Sequence, residues 1–309
     1  MEKKTSFFCV AALLFGIALF STVEIAGKAI SSIAKIESFV MVFVRFFVTG
    51  VVLVAISLPG YLKKNQLTRG DWGVFLLNGF IGIAASITLF HIGIDMFENA
   101  SSAAVVFSAN ALFTVVIARF INQEKLTLVK CIAVLLGLIG ISLFIFEKGN
   151  PDLQVLGSIC VMCCSAFLFG VSVCITRKVV KKYGAMLFMG MSSLIGSIIT
   201  LPVALLTLNE GVMERMHATF WPMCYMVLIG TTLAYFLYYY GLSGVSASKA
   251  SIAFFMKPVL ACIFASIYFY PKTQMNAWTI TGTVIIVLAM SLTLIKEKSP
   301  QESTDLQKQ

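Results

Sequence analysis

Ile56-Ser57-Leu58-Pro59 returns as Ile199-Thr200-Leu201-Pro202, each toward the end of a long apolar run. Working outward, Phe15-Gly16 recurs as Phe169-Gly170, and Gly82 and Gly93 recur as Gly230 and Gly241. Ile139-Gly140-Ile141-Ser142-Leu143 likewise recurs as Leu288-Ala289-Met290-Ser291-Leu292. The offset stays near ~150 residues, the mark of an internal repeat. Each half holds five apolar runs. An odd number turns the second half over relative to the first, which gives an inverted-topology repeat, the build of many secondary transporters.

The chain is 59% hydrophobic and 12% charged, with a mean hydropathy of +0.94. A soluble domain carries about twice that share of charge. A membrane span needs about 20 mostly apolar residues. Ten such spans are read, over 6–27, 37–58, 72–95, 99–120, 128–146, 154–176, 184–207, 220–242, 246–269 and 276–295. The expected fold is an all-α integral membrane protein with ten transmembrane helices in two inverted five-helix repeats. Residues 1–148 form the first repeat, 149–296 the second, and 297–309 a polar cytoplasmic tail. The first span follows Lys3 and Lys4 as a signal peptide would. It is long and lacks a small-x-small cleavage site, so it reads as a retained helix.

The net charge of +9 is spread by loop rather than gathered in a patch. With the N-terminus inside, 16 of the 23 Lys and Arg residues fall on cytoplasmic segments and five outside, while Arg45 and Lys257 are embedded. The positive-inside rule accounts for this pattern, so no nucleic-acid partner is implied. It places the chain as a multi-pass protein of the plasma membrane, of the bacterial inner-membrane kind, with both termini cytoplasmic. Eight cysteines lie mostly within the spans and form no loop framework. Cys160-x-x-Cys163-Cys164 has a metal-like spacing but no second pair or histidine follows, so no metal is expected. No cofactor is implied, and no G-x-x-x-x-G-K-[ST] loop is present to power transport by nucleotide hydrolysis.

An ionisable side chain inside a span costs roughly 2.5–3.5 kcal/mol on insertion scales, so it usually faces the bundle interior and marks function. Lys257 sits mid-span with Ala250, Ala253, Ala261 and Ala265 on nearly the same face, and Pro258 follows it. A proline there should break the helix and leave carbonyls free beside a cation. Lys257 therefore reads as a binding or gating residue, or as half of a structural ion pair. Arg45 lies deep in the second span with Thr49 one turn on. It either meets an anionic substrate group or locks a helix by bonding carbonyls.

Glu24, followed by Gly27, suits proton coupling or recognition of an amine; otherwise it pairs with Lys28 at i, i+4. His91 and Asp95 are four residues apart and suit a proton relay or a satisfied interfacial pair. Asn110 aligns with Lys257 across the repeat, so both fourth and ninth helices carry a polar group near the midplane. Tyr235 and Tyr238, in the ring-rich Tyr235–Tyr240 stretch, either wall the site or anchor in lipid.

These residues are similar to the drug/metabolite transporter superfamily, in its ten-helix EamA-like branch, over about 5–295. The likeness rests on Phe15-Gly16, Arg45-Phe46, Ala100-Ser101-Ser102-Ala103-Ala104, Gln123-Glu124-Lys125-Leu126-Thr127 with Gly140, Ser246-Ala247-Ser248-Lys249-Ala250 and Lys257-Pro258. Two departures stand out. Asn110-Ala111 occupies the place of the family's fourth-helix proline, and Tyr270-Pro271-Lys272-Thr273 lacks the family's glutamate before the last helix. The resemblance implies a central cavity, alternating access and a substrate such as an amino acid, another small metabolite or a drug. Glu24 with Gly27 is also similar to the first-helix carboxylate of the superfamily's four-helix multidrug branch, a hint of proton coupling.

Together these features point to a secondary active transporter of a small metabolite, an amino acid or related carboxylate. Lys257, Arg45, Asn110, Tyr235 and Tyr238 are the expected substrate contacts, and Glu24 and His91 the proton-coupling pair. A proton-coupled multidrug or amine exporter is the alternative. An embedded enzyme is disfavoured, because no nucleophile–base set converges. The partners expected are a small molecule, the lipid bilayer and protons; a homodimer is left open.

Overall fold

The computed structural model describes residues 2–63, 70–123, 126–146, 153–244, 254, 256–268 and 277–292. Among these, eight helical stretches are long and apolar enough to cross a membrane: Phe7–Ile33, Ser38–Gly60, Asp71–Met96, Ser102–Ile121, Leu128–Phe146, Leu153–Tyr183, Ala185–Leu206 and Phe220–Gly244. They are called spans 1 to 8. A ninth helix, Met256–Tyr268, and a tenth, Ala277–Leu292, fall short of spanning length within the described residues. The tail at 297–309, Glu124 and Lys125, Ser246–Ala250 and Tyr270–Thr273 lie outside them. No strand occurs among the described residues. The chain is an all-α membrane protein, as its composition requires: in lipid only a helix or a closed barrel satisfies every backbone group.

Small residues decide which helices meet. Span 2 lies along span 7, where a Cβ on Gly50 would stand 2.7 Å from the Leu194 amide and one on Gly190 3.0 Å from the Val54 amide. Span 5 and the tenth helix close on each other at Gly140 and Gly282, each of whose Cβ positions would lie within 2.9 Å of the other's carbonyl. Apolar side chains gain little by leaving lipid for each other, so association in a membrane depends on backbones approaching this closely.

The two halves repeat one contact pattern, but not with the register that Phe15-Gly16 suggests. Gly230 meets Val23, Gly16 meets Ala234 and Gly241 meets Leu13, joining span 1 to span 8. Gly82 meets Ser172, Ser86 exchanges hydrogen bonds with Ser165 (2.9 and 2.7 Å) and Gly93 meets Met162, joining span 3 to span 6. In this register Phe20, not Phe15, corresponds to Phe169. Phe15 is exposed, whereas Phe20 and Phe169 are both buried at the centre. The Phe-Gly identity was local coincidence; the packing partner is what repeats.

Several spans are discontinuous. Span 1 is two helices, Glu2–Phe20 and Val23–Ile33, joined at Ser21-Thr22. The Ser21 and Thr22 hydroxyls donate to the Ile17 and Leu19 carbonyls at 2.9 and 2.7 Å, beside the backbone bonds that the Ser21 and Thr22 amides make to the same oxygens. Span 4 breaks at Ala109, between Ala100–Ser108 and Asn110–Ile121. Spans 3 and 8 each carry a π segment at midspan, Gly79–Ala85 and Leu228–Leu233. A wider turn shifts the facing of everything beyond it and recurs at functional sites.

Candidate functional site

Polar side chains from several helices converge where these irregular segments meet. Glu24 enters from the first turn of the second half of span 1, where the helix N-terminus favours an anion. Lys257 comes from the first turn of the ninth helix, whose Lys257 amide still reaches the Phe254 carbonyl at 3.0 Å. Its Nζ lies 2.5 Å from Glu24 Oε1, and both side chains are fully buried. Glu24 Oε2 has no hydrogen-bond partner among the described residues. The ammonium also sits 4.4 Å from the centre of the Phe107 ring and 5.6 Å from that of Phe90.

Arg45 is buried beside this pair. Its Nε and Nη2 donate to Thr231 Oγ1 at 3.0 and 2.8 Å, and its Nη1 bonds His91 Nε2. A guanidinium only donates, so His91 Nε2 is the acceptor and the ring carries its hydrogen on Nδ1. Thr231 Oγ1 in turn donates a hydrogen bond to the Met226 carbonyl at 2.6 Å, five residues back. That reach is available because the π segment widens the turn. Next to it, Thr232 bonds the Val227 carbonyl at 2.9 Å and meets Thr49 of span 2 at 2.8 Å.

Around these groups lies a cavity of about 20 Å³, walled by Arg45, Lys257, Tyr235 and a set of phenylalanines that includes Phe20, Phe90 and Phe169. A space of that size admits one water molecule and nothing larger. The centre is occluded in this conformation. At one end, Thr22 Oγ1 meets the Tyr225 hydroxyl at 2.7 Å and Ser31 donates to Asp95 at 2.6 Å. At the other, Asp71 accepts from Tyr183 and Lys182, both at 2.6 Å. Above Tyr183 the Phe75 and Phe188 rings close the bundle, with ring centres 5.0 to 6.1 Å apart.

Glu24, Arg45, His91, Tyr235 and Lys257, read separately from the sequence, thus share one centre. The local pairings expected for two of them do not form. Glu24 pairs with Lys257 rather than Lys28, because its helix presents it inward. His91 bonds Arg45 while Asp95 is held by Ser31, so the His91–Asp95 relay is absent. Asn110 and Tyr238 lie apart from the cavity wall. Asn110 Nδ2 donates to the Phe107 carbonyl at 2.9 Å, bridging the break in span 4. The Tyr238 ring packs on Phe20 and Phe254 from behind, 5.7 and 5.2 Å away. Thr231, Thr232 and the phenylalanine wall were not foreseen. Thr231-Thr232 after Gly230, two adjacent hydroxyls in an apolar run, was the available signal.

Spanning helices broken around a buried charge centre define a polytopic membrane transporter. The EamA-like transporter family matches residues 7–146 and 156–295, one match per repeat, and the chain belongs to that family. An uncharacterized transporter of Clostridium kluyveri is 26% identical over 315 residues, covering 100% of this chain and 97% of the relative. An S-adenosylmethionine uptake transporter of Rickettsia prowazekii is 23% identical over 274 residues, covering 87% of each. A protein known by its crystal structure shares the fold, with a TM-score of 0.66 at 14% identity over 92% of this chain and 95% of that one.

Proposed function

We propose that this transporter moves a small carboxylate-bearing metabolite, an amino acid or a related acid, by alternating access. The observation that carries the reading is the imbalance of charge in the occluded centre. Arg45 and Lys257 are two buried cations, and among the described residues Glu24 is the one carboxylate that meets them. A buried charge is costly without a partner. A substrate carboxylate would supply the second anion, displacing Glu24 from Lys257 or joining Arg45 through its fork of donors. Released from Lys257, Glu24 is free to take a proton, which couples substrate to proton movement.

In the same reading the repeats are inverted and rock around this centre, with both termini cytoplasmic in a plasma membrane of the bacterial inner-membrane kind. Transport, not catalysis, is the activity of the family, and no cofactor enters the scheme. The test is uptake of labelled amino acids and organic acids by proteoliposomes, with and without a pH gradient. Saturable uptake of a carboxylate, lost in Lys257→Ala and in Arg45→Ala, is expected. Uptake that survives Lys257→Ala overturns the assignment.

One observation favours the amine-exporter reading instead: the unpartnered Oε2 of Glu24 would accept from an ammonium group. That reading expects lipophilic amines as substrates, dependence on Glu24 and tolerance at Lys257. S-adenosylmethionine, the substrate named for the Rickettsia relatives, belongs in the same panel.

A further inference from the structure

A groove of about 710 Å³ opens on the side of the bundle between span 1, span 8 and the ninth helix. Its floor is Ile25, Ala26 and Ala29, and its rims are Tyr225, Phe264 and Ile267. Ile267 is 73% exposed, so this rim lies on the outer surface of the bundle. The groove and the ion centre share a wall. Val23 lines the central cavity, while Thr22 and Ile25 on either side of the Val23-Glu24 step line the groove. Across that wall the Thr22–Tyr225 hydrogen bond of 2.7 Å holds span 1 to span 8. Phe264 is two turns beyond Lys257 on the same helix, about 10 Å away at 1.5 Å per residue.

We propose that this groove receives the apolar tail of the transported carboxylate, whose head lies at Lys257 and Arg45. The inference rests on the carboxylate reading above and adds the shape of the substrate: an amphipathic acid with a chain of roughly eight carbons, the length that spans that rise. Charge and polarity are complementary along one line, with buried cations at one end and an apolar trough at the other. Parting of Thr22 from Tyr225 joins the two spaces. The tail then stays in apolar surroundings while the head group reaches the cations.

The experiment is titration of the detergent-purified full chain with straight-chain monocarboxylates from acetate to decanoate. Octan-1-ol serves as the headless control. Affinity should rise about fourfold per methylene once the tail enters the groove. Ala29→Phe, which fills the floor, should abolish the gain from butyrate to octanoate and leave butyrate binding unchanged. Phe264→Ala, which only removes atoms, should move the preference to decanoate, so the result does not depend on a filled variant folding. A chain-length gain that persists unchanged in both variants overturns the proposal. So does octanoate binding that survives Lys257→Ala or is matched by octan-1-ol, which would make the groove a lipid slot. Cross-linking of two chains through Ile267→Cys at full yield would assign the groove to a second copy and overturn it as well. Binding of short and long acids alike, lost in Lys257→Ala, sinks the groove but keeps the head-group site. Binding of no acid at all sinks both.

Discussion

Lys257 Nζ stands 2.5 Å from Glu24 Oε1, joining side chains 233 positions apart and tying the first repeat to the second inside the bilayer. Removing one member of such a pair leaves the other charged and unpaired, which typically costs about 3–5 kcal/mol. Lys257→Ala should therefore lower the melting temperature as well as abolish transport. Glu24→Gln with Lys257→Met should recover most of the stability, because neither member of the pair is left charged and unpaired, and should not recover transport. Thermal melts beside uptake assays separate the two effects. A double variant as unstable as Lys257→Ala would show that the pair contributes packing rather than charge.

Arg45 is held by geometry as much as by charge. Its three nitrogens reach Thr231 and His91 at once. Lysine keeps the charge but has no planar fork, so Arg45→Lys should cut transport by an order of magnitude or more while the protein still folds. Thr231→Val leaves guanidinium donors unsatisfied and should cost about 1–3 kcal/mol. Thr231→Ser keeps the hydroxyl and should be near neutral. Wild-type uptake by Arg45→Lys would reduce Arg45 to a counter-charge.

The glycine contacts differ in tightness between the repeats. A Cβ on Gly82 would collide with Ser172, whose own Cβ would be 2.8 Å away, whereas one on Gly230 would stand 3.2 Å from a single methyl of Val23. Overpacking of a closed interface costs about 1–3 kcal/mol. Gly82→Ala should fall in that range and Gly230→Ala well below it. Ser172→Gly should rescue Gly82→Ala by returning the space, although it gives up the 2.8 Å bond to Asn78 Oδ1. Melting temperatures of the four variants measure this order; equal losses at both glycines would contradict it.

How much was legible in the sequence follows from which forces are local. A charge within an apolar run is conspicuous because lipid penalises it, so Glu24, Arg45 and Lys257 stood out individually. Their pairing did not, because it depends on helix rotation and on contacts across both repeats. Sequence neighbours offered Lys28 to Glu24 and Asp95 to His91, and neither contact forms at the site. Hydropathy placed the ends of spans 2 to 5, 7 and 8 but cut spans 1 and 6 short, and it gave no sign of the π segments: neither Gly79–Ala85 nor Leu228–Leu233 holds a proline to mark a wider turn. The break in span 4 is likewise unmarked. The chain breaks at Ala109 without a proline, and the side-chain amide of the next residue, Asn110, donates to the Phe107 carbonyl.

Closure at the Asp71 end rests on contacts of unequal depth, and they should not fail equally. Tyr183 is buried where its hydroxyl donates to Asp71 at 2.6 Å, while the Lys182 side chain is 58% exposed at the same distance from the same oxygen. An exposed ion pair is weakened by water and salt, whereas a buried hydrogen bond is not. Tyr183→Phe should therefore loosen this end more than Lys182→Ala, and Asp71→Asn should do so at least as much as Tyr183→Phe. Opening is read by placing a thiol behind the ring stack, as Ser192→Cys in a background without the native cysteines. Ser192 accepts from Asn78 Nδ2 at 3.1 Å and is inaccessible while Phe75, Tyr183 and Phe188 are closed. Its reaction with a membrane-impermeant maleimide should quicken several-fold in Tyr183→Phe and little in Lys182→Ala. If both variants label as slowly as the parent, the rings alone hold this end shut, and the polar contacts beneath them are incidental to transport.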